Sequence, residues 1–265
     1  MTLKPFIISP NVNKSKSIFV VVLLLFFGSS TALFSQASLF SYEEYTNTGG
    51  DSLKYRQLVS DYDTISKYPL VVFLHGSGER GDDNEAQLKW GVQSFTSDQN
   101  MKMHRAIVIA PQCPKDMTWA NYSDEDISIQ PTPTKTMELL IELIQETILK
   151  LPVDPNRVYI TGLSMGGFGT FDAISRYPDL FAAAVPVCGG GDVKRAASIA
   201  HIPMWIFHGA LDSTVSPQLS QNMVHALIEA GGHPGYTLYP KAGHFSWIAA
   251  YDDAMMIDWL FSQQK

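Results

Sequence analysis

The chain has 265 residues, 45% of them hydrophobic and 17% charged, and a formal charge of −7 at pH 7. That composition excludes a disordered, collagen-like or disulfide-scaffold protein. The acidic balance argues against nucleic acid or anionic lipid as the main partner. Two cysteines, Cys113 and Cys188, make neither a disulfide framework nor a zinc cluster.

Residues 1–37 carry Lys4, Lys14 and Lys16 and no Asp or Glu. The apolar run Ile18–Phe27 is too short to span a bilayer as a helix, and it leads to the small-x-small pattern Ser35-Gln36-Ala37. A basic start, a short apolar stretch and such a site predict a secretory signal peptide. The alternative is an uncleaved N-terminal anchor. The expected division is therefore a signal peptide at 1–37 and one folded domain at 38–265, secreted or periplasmic, with no stable membrane insertion after cleavage. The remaining apolar content suffices for a single core.

Leu53–Ser60 reads as an early strand of mixed alternation. Six short, nearly continuous apolar runs follow: Pro69–Leu74, Ala106–Ala110, Arg157–Thr161, Ala182–Val187, Pro203–Phe207 and Tyr236–Tyr239. Runs of this kind suit strands of a parallel sheet covered on both faces. Helical spacing appears over Thr134–Leu149, where Met137, Leu140, Ile141, Ile144 and Ile148 form one stripe. It recurs over Pro217–Ala230 and Asp252–Phe261, and a further helix opens at Ser164 and ends near Tyr177-Pro178. Alternating strands and helices predict an α/β fold with a mostly parallel sheet. Ligands then bind beyond the carboxyl ends of the strands.

Three reactive side chains follow such strands. Ser164 lies in Gly162-Leu163-Ser164-Met165-Gly166-Gly167, between a strand and a helix. A nucleophile elbow needs that arrangement, because the serine occupies a sharp turn whose neighbours must be small. A bare G-x-S-x-G is weak by itself, and a glycine-rich turn whose serine caps the helix is the bland alternative. Asp212 and His244 strengthen the functional reading. Each stands in a loop just past a predicted strand, and Ser…Asp…His is the chain order of α/β-hydrolase triads. Ser164 becomes a useful nucleophile only if His244 takes its proton, and Asp212 would orient the imidazole.

Acyl transfer also needs N–H donors for the oxyanion, worth about 3–4 kcal/mol each. The backbone N–H groups of Met165 and Ser77 are the candidates, with Gly78 as the alternative to Ser77. His75 is expected to buttress the loop rather than act as a base, and Glu79 and Arg80 to tie it down through ion pairs.

The segments Leu74-His75-Gly76-Ser77-Gly78-Glu79-Arg80-Gly81-Asp82-Asp83-Asn84, Ala110-Pro111-Gln112-Cys113-Pro114 with Trp119, and the Ser164 elbow resemble α/β-hydrolases of the phospholipase/carboxylesterase group. Secreted "predicted peptidases" and feruloyl- or carbohydrate-esterase-like enzymes are the most similar in pattern. The resemblance covers roughly residues 50–265. It implies a serine esterase without cofactor, with Ser164, Asp212 and His244 as triad and Ser77 and Met165 as oxyanion donors.

Only about fifteen residues separate Val187 from the strand near Pro203. That leaves no room for an inserted lid, and an open site suits a bulky or polymer-attached ester better than a small buried one; the expected substrate is a small-molecule or polysaccharide-linked ester. Trp119 and Tyr122, in the long connection Gln112–Pro133, are candidate substrate-binding rings; the alternative is that they plug the loop onto the core. The Asp124-Glu125-Asp126 cluster reads as a solvated face. Cys113 and Cys188 follow strands that the usual order separates, so free thiols are expected. The competing readings are a serine peptidase of oligopeptidase type, a non-catalytic binding protein on the same fold, and an acyltransferase.

Overall fold

A computed structural model describes residues 37–59, 65–123 and 126–265; the expected export signal lies outside them, save for Ala37. The strands are β1 (Ser41–Thr46), β2 (Ser52–Val59), β3 (Tyr68–Leu74), β4 (Ile107–Pro111), β5 (Val153–Leu163), β6 (Ala183–Val187), β7 (Trp205–Gly209) and β8 (Gly235–Tyr239). They form one sheet in the order β1-β2-β4-β3-β5-β6-β7-β8. The first two strands pair antiparallel, and every pairing from β4 to β8 is parallel. This is the mostly parallel α/β sheet that the alternation predicts, in the α/β-hydrolase arrangement that the resemblance implies.

Burial explains which strands were readable. β3, β4 and β6 are buried at every position, as their unbroken apolar runs require. β1, which the sequence reading did not include, is an edge strand with mostly exposed side chains, Ser-Tyr-Glu-Glu-Tyr-Thr. It forms because the Asn47 side chain caps a tight turn, accepting from the Gly49 and Asp51 amides at 2.9 and 3.0 Å. β5 begins four residues before the apolar run, through the polar stretch Val153–Arg157.

The helices are α1 (Asp98–Met103), α2 (Lys135–Lys150), α3 (Met165–Arg176), α4 (Ala196–Ile199), α5 (Pro217–Glu229), α6 (Trp247–Tyr251) and α7 (Ala254–Phe261). α2 starts where Thr134 accepts from the Met137 amide, and it buries Met137, Leu140, Ile141 and Ile144. Ser216 and Asp253 cap α5 and α7 in the same way. Among the described residues no helix is long and apolar enough to cross a membrane. Between β6 and β7 lie only the short turn Val193–Arg195 and α4, without a lid. Cys113 and Cys188 are both free and buried.

Candidate active site

β5 delivers Ser164 to the top of the sheet, and α3 leaves from it at once. Ser164 adopts φ 53° and ψ −117°, a strained conformation for a residue with a Cβ. Two close approaches impose the neighbouring glycines. A Cβ on Gly162 would sit 2.8 Å from Leu74 Cβ, and one on Gly166 would sit 2.6 Å from the Leu74 carbonyl carbon. The turn is further held by the Ser164 amide, which donates to Val187 O on β6 at 3.0 Å.

The loops after β7 and β8 bring the other two residues to it. Ala210 N donates to Tyr239 O and Leu211 N to Ala242 O, both at 2.9 Å, so the two loops are laced together. Ser164 Oγ then lies 2.9 Å from His244 Nε2, and His244 Nδ1 lies 2.7 Å from Asp212 Oδ2. Asp212 Oδ1 accepts from the Thr214 and Val215 amides, both at 2.9 Å. Burial pushes the Asp212 carboxyl up, but the His244 ring and these two amides outweigh it and hold the carboxyl below its ordinary value. An ionised Asp212 orients the imidazole with Nδ1 protonated and Nε2 free to accept from Ser164.

The oxyanion candidates stand at matching positions. Leu74 on β3 pairs with Gly162 on β5, and Ser77 and Met165 each lie three residues beyond that pair. Met165 opens α3, so its N–H has no partner within the helix. His75 supports the loop: its Nε2 accepts from the Cys113 amide at 2.9 Å and its Nδ1 donates to Gly76 O at 2.6 Å. Burial drives the His75 ring down to about 4, so it stays neutral and structural.

The expected ion pairs of Glu79 and Arg80 do not form among the described residues. Arg80 instead donates to the carbonyls of Ser77 at 3.0 Å and Met117 at 3.3 Å. Glu79 is buried beneath the loop; burial raises its carboxyl, opposed by Lys89 and by hydrogen bonds from the Gly76 backbone and the Trp90 side chain. Backbone carbonyls and amides are the nearer partners in a tight turn, which favours hydrogen bonds over a longer ion pair.

The structure overturns Trp119 as a substrate-binding ring and shows Tyr122, half-buried, holding the same loop. Trp119 is fully buried, its Nε1 donates to His75 O at 3.1 Å, and its Cβ abuts Gly169 of α3. No face is left for a substrate. Tyr122 donates from its hydroxyl to Phe168 O at 3.3 Å and packs edge-on against the Phe168 ring. Both rings anchor the loop to α3, and the buried Asp172 completes the latch by accepting from the Asn121 amide and from Arg176. Asp126, the described member of the acidic cluster, is held by Ser128 at 2.6 Å and by Lys194 at 3.2 Å.

Two further features gain their roles only from the folded geometry. His208, fully buried, contacts Asp212 Oδ2 at 3.3 Å through Nε2. Around His244 stands an aromatic group: Trp247 edge-on to it at 5.2 Å, Phe245 against Trp247 at 4.6 Å, and Trp90 edge-on to Phe245 at 6.0 Å. Cys188, Asp212 and His244 bring ligand atoms within 4.8 Å of one another. As a metal site the trio is poor, because Asp212 and His244 engage each other and burial pushes the Cys188 thiol up to about 12.

The comparisons agree with this geometry. A crystal structure of a thermostable esterase superposes with a TM-score of 0.81 at 38% identity, covering 86% of this chain and 64% of that one. Poly(3-hydroxyalkanoate) depolymerase C of Paucimonas lemoignei is 28% identical over 63% of this chain and 39% of its own length. The bifunctional acetylxylan esterase/xylanase XynS20E of Neocallimastix patriciarum is 26% identical over 57% of this chain and 20% of its own. The chain thus spans well under half the length of these two relatives. The phospholipase/carboxylesterase family model matches residues 63–256, and the chain belongs to that family.

Proposed function

We infer that the protein is an exported serine hydrolase of carboxylic esters, working through an acyl-enzyme on Ser164. The observation that carries this reading is the unbroken chain Ser164 Oγ–His244 Nε2–His244 Nδ1–Asp212 Oδ2, at 2.9 and 2.7 Å. His244 takes the Ser164 proton as Oγ attacks the ester carbonyl carbon. The Met165 and Ser77 N–H groups receive the oxyanion. Collapse breaks the carbonyl–alkoxy bond, and His244 gives its proton to the departing alcohol. Water, deprotonated by His244, then attacks the acyl-enzyme and frees Ser164.

The preferred substrates are carbohydrate-linked or aromatic acyl esters; the open strand ends and the name of the acetylxylan esterase relative support the carbohydrate side. Export rests on the basic, apolar and small-residue segments of residues 1–37. The test compares the wild type with Ser164→Ala on acetyl, butyryl, octanoyl and feruloyl esters and on a peptide amide. Ester turnover lost in Ser164→Ala supports the reading, and amide turnover alone would replace it with a peptidase.

A further inference from the structure

In the proposed reaction the alcohol leaves with the proton carried by His244 Nε2. The alcohol moiety therefore lies on the His244 side of Ser164, whatever the acyl group is. The residues beside His244 decide which alcohols are welcome.

Those residues form an aromatic ledge. Phe245 follows His244 directly in the chain and is 59% exposed, unusual for a phenylalanine in a folded domain. Its position is nonetheless fixed. Trp247, only 5% exposed, supports it at 4.6 Å, and the half-buried Trp90 meets it edge-on at 6.0 Å. The Trp90 side chain also comes close to the Glu79 carboxyl of the oxyanion loop. The Lys89 ammonium lies 5.2 Å from the Trp90 ring centre and brings three donors to the end of the ledge. The ledge thus runs from the His244 loop to the segment that follows the oxyanion loop.

Its shape limits its occupant. An alkyl chain gains free energy in proportion to the apolar area taken out of water, so it favours an enclosed slot. The Phe245 ledge covers a ligand from one side, and among the described residues no lid closes over it. A sugar ring suits such a surface. One face presents C–H groups that pack on an aromatic ring, while its hydroxyls stay in water or meet Lys89.

We propose that Phe245, supported by Trp90 and Trp247, forms an alcohol-side subsite for the sugar ring of a carbohydrate ester. The proposal rests on the ester-hydrolase reading and narrows it: carbohydrate on the alcohol side, with the acyl side left to other walls.

The test holds the acyl group constant and varies the alcohol. Methyl 3-O-acetyl-β-xyloside and hexyl acetate are compared as substrates of the wild type, Phe245→Ala and Phe245→Trp. The expected wild-type kcat/KM ratio favours the sugar ester, falls about tenfold in Phe245→Ala and is kept in Phe245→Trp. A wild type that prefers hexyl acetate, or a Phe245→Ala protein that loses both activities alike, overturns the subsite. A second arm needs no turnover. Xylotetraose titrated into the Ser164→Ala protein should change tryptophan fluorescence saturably, and Phe245→Ala on that background should abolish the change. Saccharide binding without any ester hydrolysis would overturn the hydrolase reading and leave the ledge in place. Hydrolysis of acetates without saccharide binding would do the reverse.

Discussion

Asp212 shares one carboxylate oxygen between two histidines: Oδ2 lies 2.7 Å from His244 Nδ1 and 3.3 Å from His208 Nε2. Only His244 reaches Ser164. His208 Nε2 also lies 3.0 Å from Val215 O, so this nitrogen faces two acceptors and carries a proton. His208 Nδ1 is 2.7 Å from Ser220 Oγ, which reaches Gly189 O at 2.9 Å. Burial pulls the ring toward its neutral form. His208 thus acts as a positioning residue, pinning Asp212 and the turn that supplies its amides.

Replacing His208 by Phe removes that donor while keeping a ring in the space. The expected effect is a fall in kcat of about a hundredfold at most, the scale on which small misplacements act. KM should change little, and His208→Gln, which carries an N–H at similar reach, should recover most of the loss. Steady-state kinetics on one ester decides it: a Gln variant as poor as Phe would assign His208 to packing alone.

Asp212→Asn tests the orienting role. The amide can present N–H to His244 and reverse its tautomer, so kcat should drop by about 10⁴ with the fold intact. Near-normal turnover in a protein of unchanged melting temperature would remove Asp212 from the triad.

His75 makes stability depend on pH. Its ring is held down to about 4 in the fold, against an ordinary value of 6.5. Between these values the unfolded chain binds a proton that the folded one refuses. The stability from keeping His75 neutral is therefore complete above about pH 6.5 and lost as the pH falls toward 4, about 3 kcal/mol in all. Glu79 and Asp172, whose carboxyls burial raises, work in the opposite direction, so the comparison must be between proteins. Urea unfolding across this range should show a shallower acid loss in His75→Asn than in the wild type. Parallel curves would contradict the assignment.

The elbow makes a sharper demand than the loop opposite. Gly166→Ala would place a Cβ 2.6 Å from the Leu74 carbonyl carbon and 2.8 Å from His75 O, backbone atoms that cannot step aside. A loss above about 4 kcal/mol is expected, the range reserved for such clashes. Gly78→Ala meets nothing within 4 Å and should change stability by less than about 0.5 kcal/mol. Melting temperatures of the two variants provide the check.

How much could be read beforehand follows from where each signal resides. Buried strands such as β3 and β4 declare themselves because both faces must be apolar. β1 does not, since an exposed edge strand of Ser, Tyr, Glu and Thr depends on its neighbour and on the Asn47 turn. Ser164, Asp212 and His244 were legible because each sits in a local motif at a strand end, in a recognisable chain order. Trp119 and Tyr122 were not: an aromatic side chain in a long loop reads alike whether it faces the core or a ligand. The contact of Trp90 with Phe245 joins residues far apart in sequence, and His208 gains its role only from its distance to Asp212. Neither has a local signature.

The most direct measurement of the central claim is intact and peptide mass analysis of the protein quenched during turnover of p-nitrophenyl acetate. The expected result is an acetyl group on Ser164, transient in the wild type and absent in Ser164→Ala. Ester turnover that persists in Ser164→Ala, with no acyl group on Ser164 at any time, would contradict it.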